Sequence, residues 1–196
     1  MKVHKLVLHP ADPLSEPRPV SVIRQCLDEI GLIDGSITLG KASRYAAGKQ
    51  FLGLITFLGC SPAIELHPPA DPVLRDEAVR SGTLCHVYLS EIYPHPVLLA
   101  NPGVIPCCPQ CRRRVSDWER HLKQWLENRD ATQWRCRFCD YQGSIYSSGF
   151  RHKAGFGRSF IEIWSIHPAE AVPGDLLMDA LSAATGTTWD YFYIRN

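Results

Sequence analysis

The stretch that decides the fold reads Cys107-Cys108-Pro109-Gln110-Cys111 and then, after a gap, Trp134-Arg135-Cys136-Arg137-Phe138-Cys139. It contains two C-x2-C knuckles, Cys108/Cys111 and Cys136/Cys139, with 24 residues between them. Two residues between cysteines suffice to turn both sulfurs toward one ion, and Zn²⁺ takes four soft ligands at tetrahedral corners. Two such pairs make a closed four-cysteine site with no position left for water, so the expected ion is one structural Zn²⁺. The alternative, two unrelated thiol pairs, would need a redox-type C-x-x-C twice without the βαβ pattern that accompanies it.

The pattern resembles the zinc-ribbon modules of many nucleic-acid- and protein-binding proteins. Pro109 inside the first knuckle and Trp134 just before the second are typical of them. The glycine usual after each second cysteine is absent, and Arg112 and Asp140 stand in its place. A left-handed turn at these positions then carries a steric cost that glycine would avoid. The resemblance covers about a quarter of the chain and implies a metal site, not an activity.

Around this segment, charge is distributed unevenly. Residues 107–158 hold 11 Lys/Arg against 5 Asp/Glu, a balance of +6, while the rest hold 10 against 15, a balance of −5. A basic module is therefore set within an acidic body. The expected organisation is an N-terminal half of the body over 1–105, an inserted zinc-ribbon module over 106–158, and a C-terminal β-α-β part over 159–196. The fold class is α+β, a small mixed sheet with helices.

The first ten residues are too short and polar for a signal sequence, and the longest apolar run, Phe51 to Cys60, is about half of a membrane span. Eight cysteines then belong to a reducing, cytoplasmic setting rather than to a disulfide framework.

In chain order, Lys2 to Leu8 reads as a strand. Ile23, Leu27 and Ile30 recur at helical spacing from Val20, with Gly31 as a stop. Asp34 to Lys49 reads mainly as loop, and Phe51 to Phe57 as a buried central strand. Asp71-Pro72 opens a helix that Gly82 ends. Thr83 to Glu91 alternates as a strand, with Cys85, Val87 and Leu89 on one face. Tyr93 to Pro106, with four prolines, reads as an extended linker. Between the knuckles, Trp118, Leu122 and Trp125 share a helical face, and Ser116 with Glu119 fits a capping box. Ser159 to Ile166, Asp175 to Thr185 and Trp189 to Ile194 form a strand, a helix and a strand. His9-Pro-Ala-Asp12 and His167-Pro-Ala-Glu170 echo each other.

Candidate chemistry outside the knuckles is sparse. Cys26, Cys60, Cys85 and Cys107 remain, of which Cys60, at a strand end before a turn, is the best placed for reactivity. Cys85 and His86 point to opposite faces. Cys107 could replace Cys108 through a looser spacing. Four of the eight histidines, His9, His67, His95 and His167, precede proline and mark turns, and no nucleotide-loop, nucleophile-elbow or kinase pattern is completed.

Three readings of function remain, in this order. The first is a non-enzymatic adaptor or regulatory protein presenting the ribbon to a protein partner. The second is a nucleic-acid-binding protein. In that reading Arg112, Arg113, Arg114, Arg135, Arg137, Arg151, Lys153 and Arg158 contact phosphates, and Phe138, Tyr141 and Phe150 stack on bases. The same cations would equally suit an acidic protein partner. The third is an enzyme with a site near Cys60.

Overall fold

The computed structural model describes residues 4–37, 43–59 and 64–195. The chain opens with β1 (His4–Pro10) and crosses through the proline-rich connector into α1 (Val20–Glu29). A polar hairpin follows, β2 (Ile33–Ser36) and β3 (Arg44–Ala47). Next come the single turn α2 (Phe51–Leu54), the short β4 (Ile55–Phe57), α3 (Pro72–Ser81) and β5 (His86–Leu89). The central third carries β6 (Val97–Ala100), α4 (Trp118–Glu127), β7 (Gln133–Arg135), β8 (Gln142–Ser144) and β9 (Ala154–Gly157). The chain then completes β10 (Ile161–Trp164), β11 (Ala171–Pro173), α5 (Asp175–Thr185) and β12 (Trp189–Arg195). This is an α+β protein, as the sequence predicts. No helix among the described residues is long and apolar enough to cross a membrane.

Six strands form the main sheet in the order β12-β1-β10-β5-β3-β2. Paired neighbours run antiparallel, and a parallel bridge joins Glu65 to Leu84 at the margin. It follows that β1 and β5 run the same way with β10 between them, and β10 and β12 run the same way with β1 between them. Each parallel pair is bridged by helical crossovers, and α1 and α5 share one apolar core on one face. This is the split β-α-β arrangement of the ferredoxin-like class, elaborated by the β2–β3 edge. The first echoed His-Pro-Ala segment ends β1 and the second follows β10, strands that occupy equivalent places in the two halves.

Period-2 alternation explains why β1 is buried on both sides. Leu6 and Leu8 join Ile161, Ile163, Val87 and Leu89 beneath α1 and α5. Val7 faces the other way, into a cluster with Phe160, Phe192 and Ile194 that Val97 and Leu99 of β6 cover. Complete burial of each such side chain contributes about 1.5–3 kcal/mol. Close approach on this second face requires Gly155: a Cβ there would lie 2.6 Å from both His9 Nε2 and Phe192 Cε1.

Several sequence expectations are met in detail. Asp71 accepts hydrogen bonds from the Val73 and Leu74 N–H groups and Gly82 ends its helix at φ 68°; the helix expected over Asp175 to Thr185 is also present, and Gly186 ends it at φ 75°. Three are corrected. Phe51 to Phe57 is one helical turn and a three-residue strand, not a central strand. Burial falls on Phe51, Leu54 and Ile55 while Leu52 stays exposed, a helical spacing that an all-apolar run conceals. The supposed loop Asp34 to Lys49 contains the edge hairpin β2–β3, whose polar residues reflect its exposure. The supposed linker contains β6, which pairs with β9 from Val97↔Gly157 to Ala100↔Ala154.

Toward β3 the second face of the sheet is polar. Lys5 Nζ lies 2.8 Å from Glu162 Oε2, and Trp164 Nε1 donates to the same oxygen at 3.0 Å. The His86 ring stacks on Trp164 at 5.3 Å, with the Arg44 guanidinium 4.8 Å from the Trp164 ring centre. Nδ1–H of His86 donates to the Leu84 carbonyl at 2.9 Å, which leaves Nε2 to accept from Arg44. Burial pushes His86 down to about 4; the Leu84 carbonyl opposes this and the Arg44 charge reinforces it. The folded ring therefore takes up its proton later than an unfolded histidine at about 6.5. Its contribution to stability is full above pH 6.5 and lost as pH falls toward 4. Urea unfolding across this window should show a loss of about 3 kcal/mol attributable to His86, and the pH slope should flatten in His86→Gln.

Candidate metal centre

Each knuckle is a turn stitched by two backbone hydrogen bonds. In the first, Cys108 N–H donates to Arg113 O at 2.9 Å and Arg112 N–H to Cys108 O at 2.9 Å. In the second, Cys136 N–H donates to Tyr141 O at 2.8 Å and Asp140 N–H to Cys136 O at 2.9 Å. The two turns are thus built alike. Arg112 and Asp140 both adopt left-handed backbone, at φ 60° and 58°, where ribbon sequences usually place glycine. A non-glycine residue in this region costs about 1–2 kcal/mol.

The second knuckle extends from the β7–β8 hairpin, in which Trp134 opposes Gly143. Helix α4 packs between the knuckles on an aromatic core. Trp118 meets Phe150 edge-on at 5.4 Å, and Trp125 meets Phe156 at 5.3 Å while its Nε1 donates to the Tyr146 hydroxyl at 3.1 Å. The shared face of Trp118 and Trp125 is buried as the periodicity predicts. The capping box is not formed. Asp117 precedes the helix, and the Ser116 hydroxyl instead accepts from Arg137 Nη1 at 2.6 Å, tying the helix start to the second knuckle.

Cys108, Cys111, Cys136 and Cys139 converge, with all four sulfurs within 4.8 Å of one another. The Cys108–Cys139 and Cys111–Cys136 Sγ separations are 3.7 Å. A tetrahedron with metal–sulfur bonds of about 2.3 Å has edges of about 3.8 Å, so the thiols are positioned to bind one metal ion. Burial raises Cys136, but the N–H groups of Phe138 and Cys139 and the neighbouring thiols outweigh it and bring it down to about 7. Cys139 moves up to about 12: the Tyr141 N–H favours its thiolate, and desolvation and the other three thiols oppose it. A dication among the sulfurs would relieve that opposition, since metal binding displaces thiol protons.

The other sequence candidates lie elsewhere. Cys107 is outside the cluster; its N–H donates to Gly149 O at 2.8 Å. Cys85 is fully buried, and burial pushes its thiol up to about 12, away from reactivity. Cys60 lies outside the described residues.

Of the eight candidate cations, Arg112 is exposed on the first knuckle and the other seven separate into distinct groups. Arg135 pairs with Asp140 at 3.2 Å, and Arg158 pairs with Glu16 at 3.3 Å and donates to Tyr93 O. Arg113 and Arg137 lie 5.0 and 5.9 Å from the ring centre of Phe138, which is 49% exposed. Phe150 is core and Tyr141 packs on Trp134, so of the three stacking candidates only Phe138 presents a largely exposed ring. Arg114, Arg151 and Lys153 line a separate cleft of about 710 Å³ together with Arg195. Arg195 was invisible to sequence reading because the cleft draws on segments distant along the chain. No family model, no curated protein and no solved structure matches this chain.

Because Arg112 sits at φ 60°, Arg112→Gly should leave thermal stability unchanged or raise it by up to about 1 kcal/mol, whereas Arg112→Val should lower it by about 1–2 kcal/mol. Thermal unfolding of the metal-loaded chain reads the difference.

Proposed function

We propose that this chain is a non-enzymatic interaction protein of the cytoplasm in which one structural Zn²⁺ braces an inserted zinc-ribbon module that engages an acidic segment of a partner protein. Residues 106–158 are the module, and 1–105 and 159–196 are the two halves of the body. Bound at Cys108, Cys111, Cys136 and Cys139, zinc would favour the thiolate form of all four cysteines, offset half of their negative charge, and hold the two knuckles at fixed separation. A site closed by four thiolates has no open position for substrate, which favours a structural role.

The exposed ring of Phe138 at the second knuckle, with the guanidinium groups of Arg113 and Arg137 close to it, is the observation that carries this reading. Aromatic residues and arginine are enriched where protein partners bind most tightly, and the guanidinium groups would meet carboxylates on the partner. A nucleic-acid track is less well supported. Arg135 and Arg158 are neutralised internally, the remaining cations fall into separate groups, and one stacking platform is available rather than three.

Protein purified without added metal should contain about one equivalent of zinc, and a content below about a tenth would end the metal reading. Cys136→Ser should direct protease cleavage first to residues 106–158 while the body stays folded; simultaneous loss of both would overturn the inserted module. For the partner, immobilised chain in nuclease-treated lysate should capture a protein that Phe138→Ala fails to capture. A mixed-sequence 20-mer should bind weakly at 50 mM salt. Micromolar binding of that 20-mer, lost in Arg112→Ala/Arg113→Ala/Arg114→Ala and falling about a hundredfold at 200 mM salt, would instead assign the basic surface to nucleic acid.

A further inference from the structure

The cleft of about 710 Å³ is walled by three tight turns and the end of β12. Asn101-Pro102-Gly103-Val104 closes with Val104 N–H donating to Asn101 O at 3.2 Å, with Gly103 at φ 69°. His167-Pro168-Ala169-Glu170 closes with Glu170 N–H donating to His167 O at 3.1 Å, with Ala169 at φ 61°. Proline at the second position and positive φ at the third mark both as type II turns. The third turn, Phe150 to Lys153, closes with Lys153 N–H donating to Phe150 O at 3.1 Å and holds Arg151 and His152 at φ 50° and 56°. Positive φ at both central residues defines a type I′ turn, which ordinarily calls for Asn-Gly. Here two bulky residues occupy it, and backbone held in such sparsely populated regions concentrates at functional sites.

The surrounding structure holds this strained turn in place. Asn101 Nδ2 donates to Lys153 O and Tyr193 O at 2.9 and 2.7 Å, and its Oδ1 accepts from Arg195 N–H at 2.7 Å. The His152 ring stacks on Tyr191 at 4.6 Å, and Tyr193 N–H donates to His152 O at 3.0 Å. Arg114, Arg151, Lys153 and Arg195 line the cleft, all four are exposed, and none is in an ion pair among the described residues. No described carboxylate lines it. Apolar wall is supplied by Val104, Pro168 and Ile105, the last 38% exposed.

We infer that this cleft is a binding site for a small organic phosphate, its phosphoryl group held by Arg114, Arg151, Lys153 and Arg195 and its apolar body laid against Val104, Ile105 and Pro168. Size places the ligand among small molecules, whose sites run about 300–1,000 Å³ and combine apolar walls with a few convergent polar groups. The number and spread of the cations select phosphate over carboxylate. One arginine fork satisfies a planar carboxylate, whereas a phosphoryl dianion offers three terminal oxygens to donors arriving from several directions. This site is separate from the four thiols and does not depend on the partner reading above.

The test uses the full metal-loaded chain with phenyl phosphate as probe, inorganic phosphate and benzoate as comparisons, and a salt concentration of about 50 mM. Calorimetry should give a Kd for phenyl phosphate of about 1 mM or tighter, tighter than for either comparison. Amide NMR shifts should concentrate on Asn101, His152 and Tyr193. Arg151→Gln/Lys153→Gln should weaken binding about tenfold or more, whereas Arg24→Gln/Lys123→Gln, exposed cations outside the cleft, should not. Should the first variant fail to fold, Arg195→Gln replaces it and should also weaken binding. Absence of saturable binding, benzoate binding as tightly as phenyl phosphate, or equal weakening by the control variant would overturn the site. So would a single-stranded 20-mer that outcompetes phenyl phosphate through the same residues, because the cleft would then belong to a polymer.

Discussion

Burial of β1 on both faces, with hydrogen-bonded neighbours on both edges, is the constraint from which the rest of the architecture follows. A strand in that position has no exposed edge and no solvent face, so its partners must come from elsewhere in the chain. They are β10 and β12, more than 150 residues away in sequence. One face is satisfied by α1 and α5, the other by β6 and β9. The second requirement draws the central third of the chain onto the body: the strands that cover Val7 and Phe192 also lead into and out of the cysteine knuckles. Position of the metal centre is thus a consequence of how the first strand is buried.

The knuckle region meets the difficulty of every small structural unit, too little aliphatic surface for a core of its own. Its solution is aromatic, with Trp118, Trp125, Trp134, Phe150 and Phe156 clustered around the helix, and at the far end four sulfurs converge in an arrangement that suits one metal ion. The cost is visible in the backbone, which holds Arg112 and Asp140 in conformations that suit glycine. At Asp140 the side chain is used, because it answers Arg135. At Arg112 the structure shows no such return.

What could be read from the sequence followed from punctuation and period. Helices α3 and α5 carry their own stops at Gly82 and Gly186, and the cysteine spacing is a geometric statement about sulfur positions. By contrast, Phe51 to Phe57 is apolar throughout, so no period could separate a strand from a helical turn. Strands β2 and β6 were hidden for opposite reasons: β2 is an edge with almost no buried residue, and β6 is flanked by prolines that read as linker. The cleft was beyond reach altogether. Arg114, Arg151 and Lys153 were singled out as part of a general basic surface, but their separation from Phe138 and their meeting with Arg195 are properties of the fold.

The β6–β9 pairing also bears on how the chain reaches its native state. Until Ala100 meets Ala154, β1 has no cover on its second face, and that meeting requires a long excursion of backbone to close. Drawing Cys111 and Cys136 together shortens the free length of the excursion and so reduces the entropy lost on closure. Metal capture during synthesis on the ribosome would then act on the assembly of the whole sheet, by setting how soon its first-made strand is sheltered from aggregation.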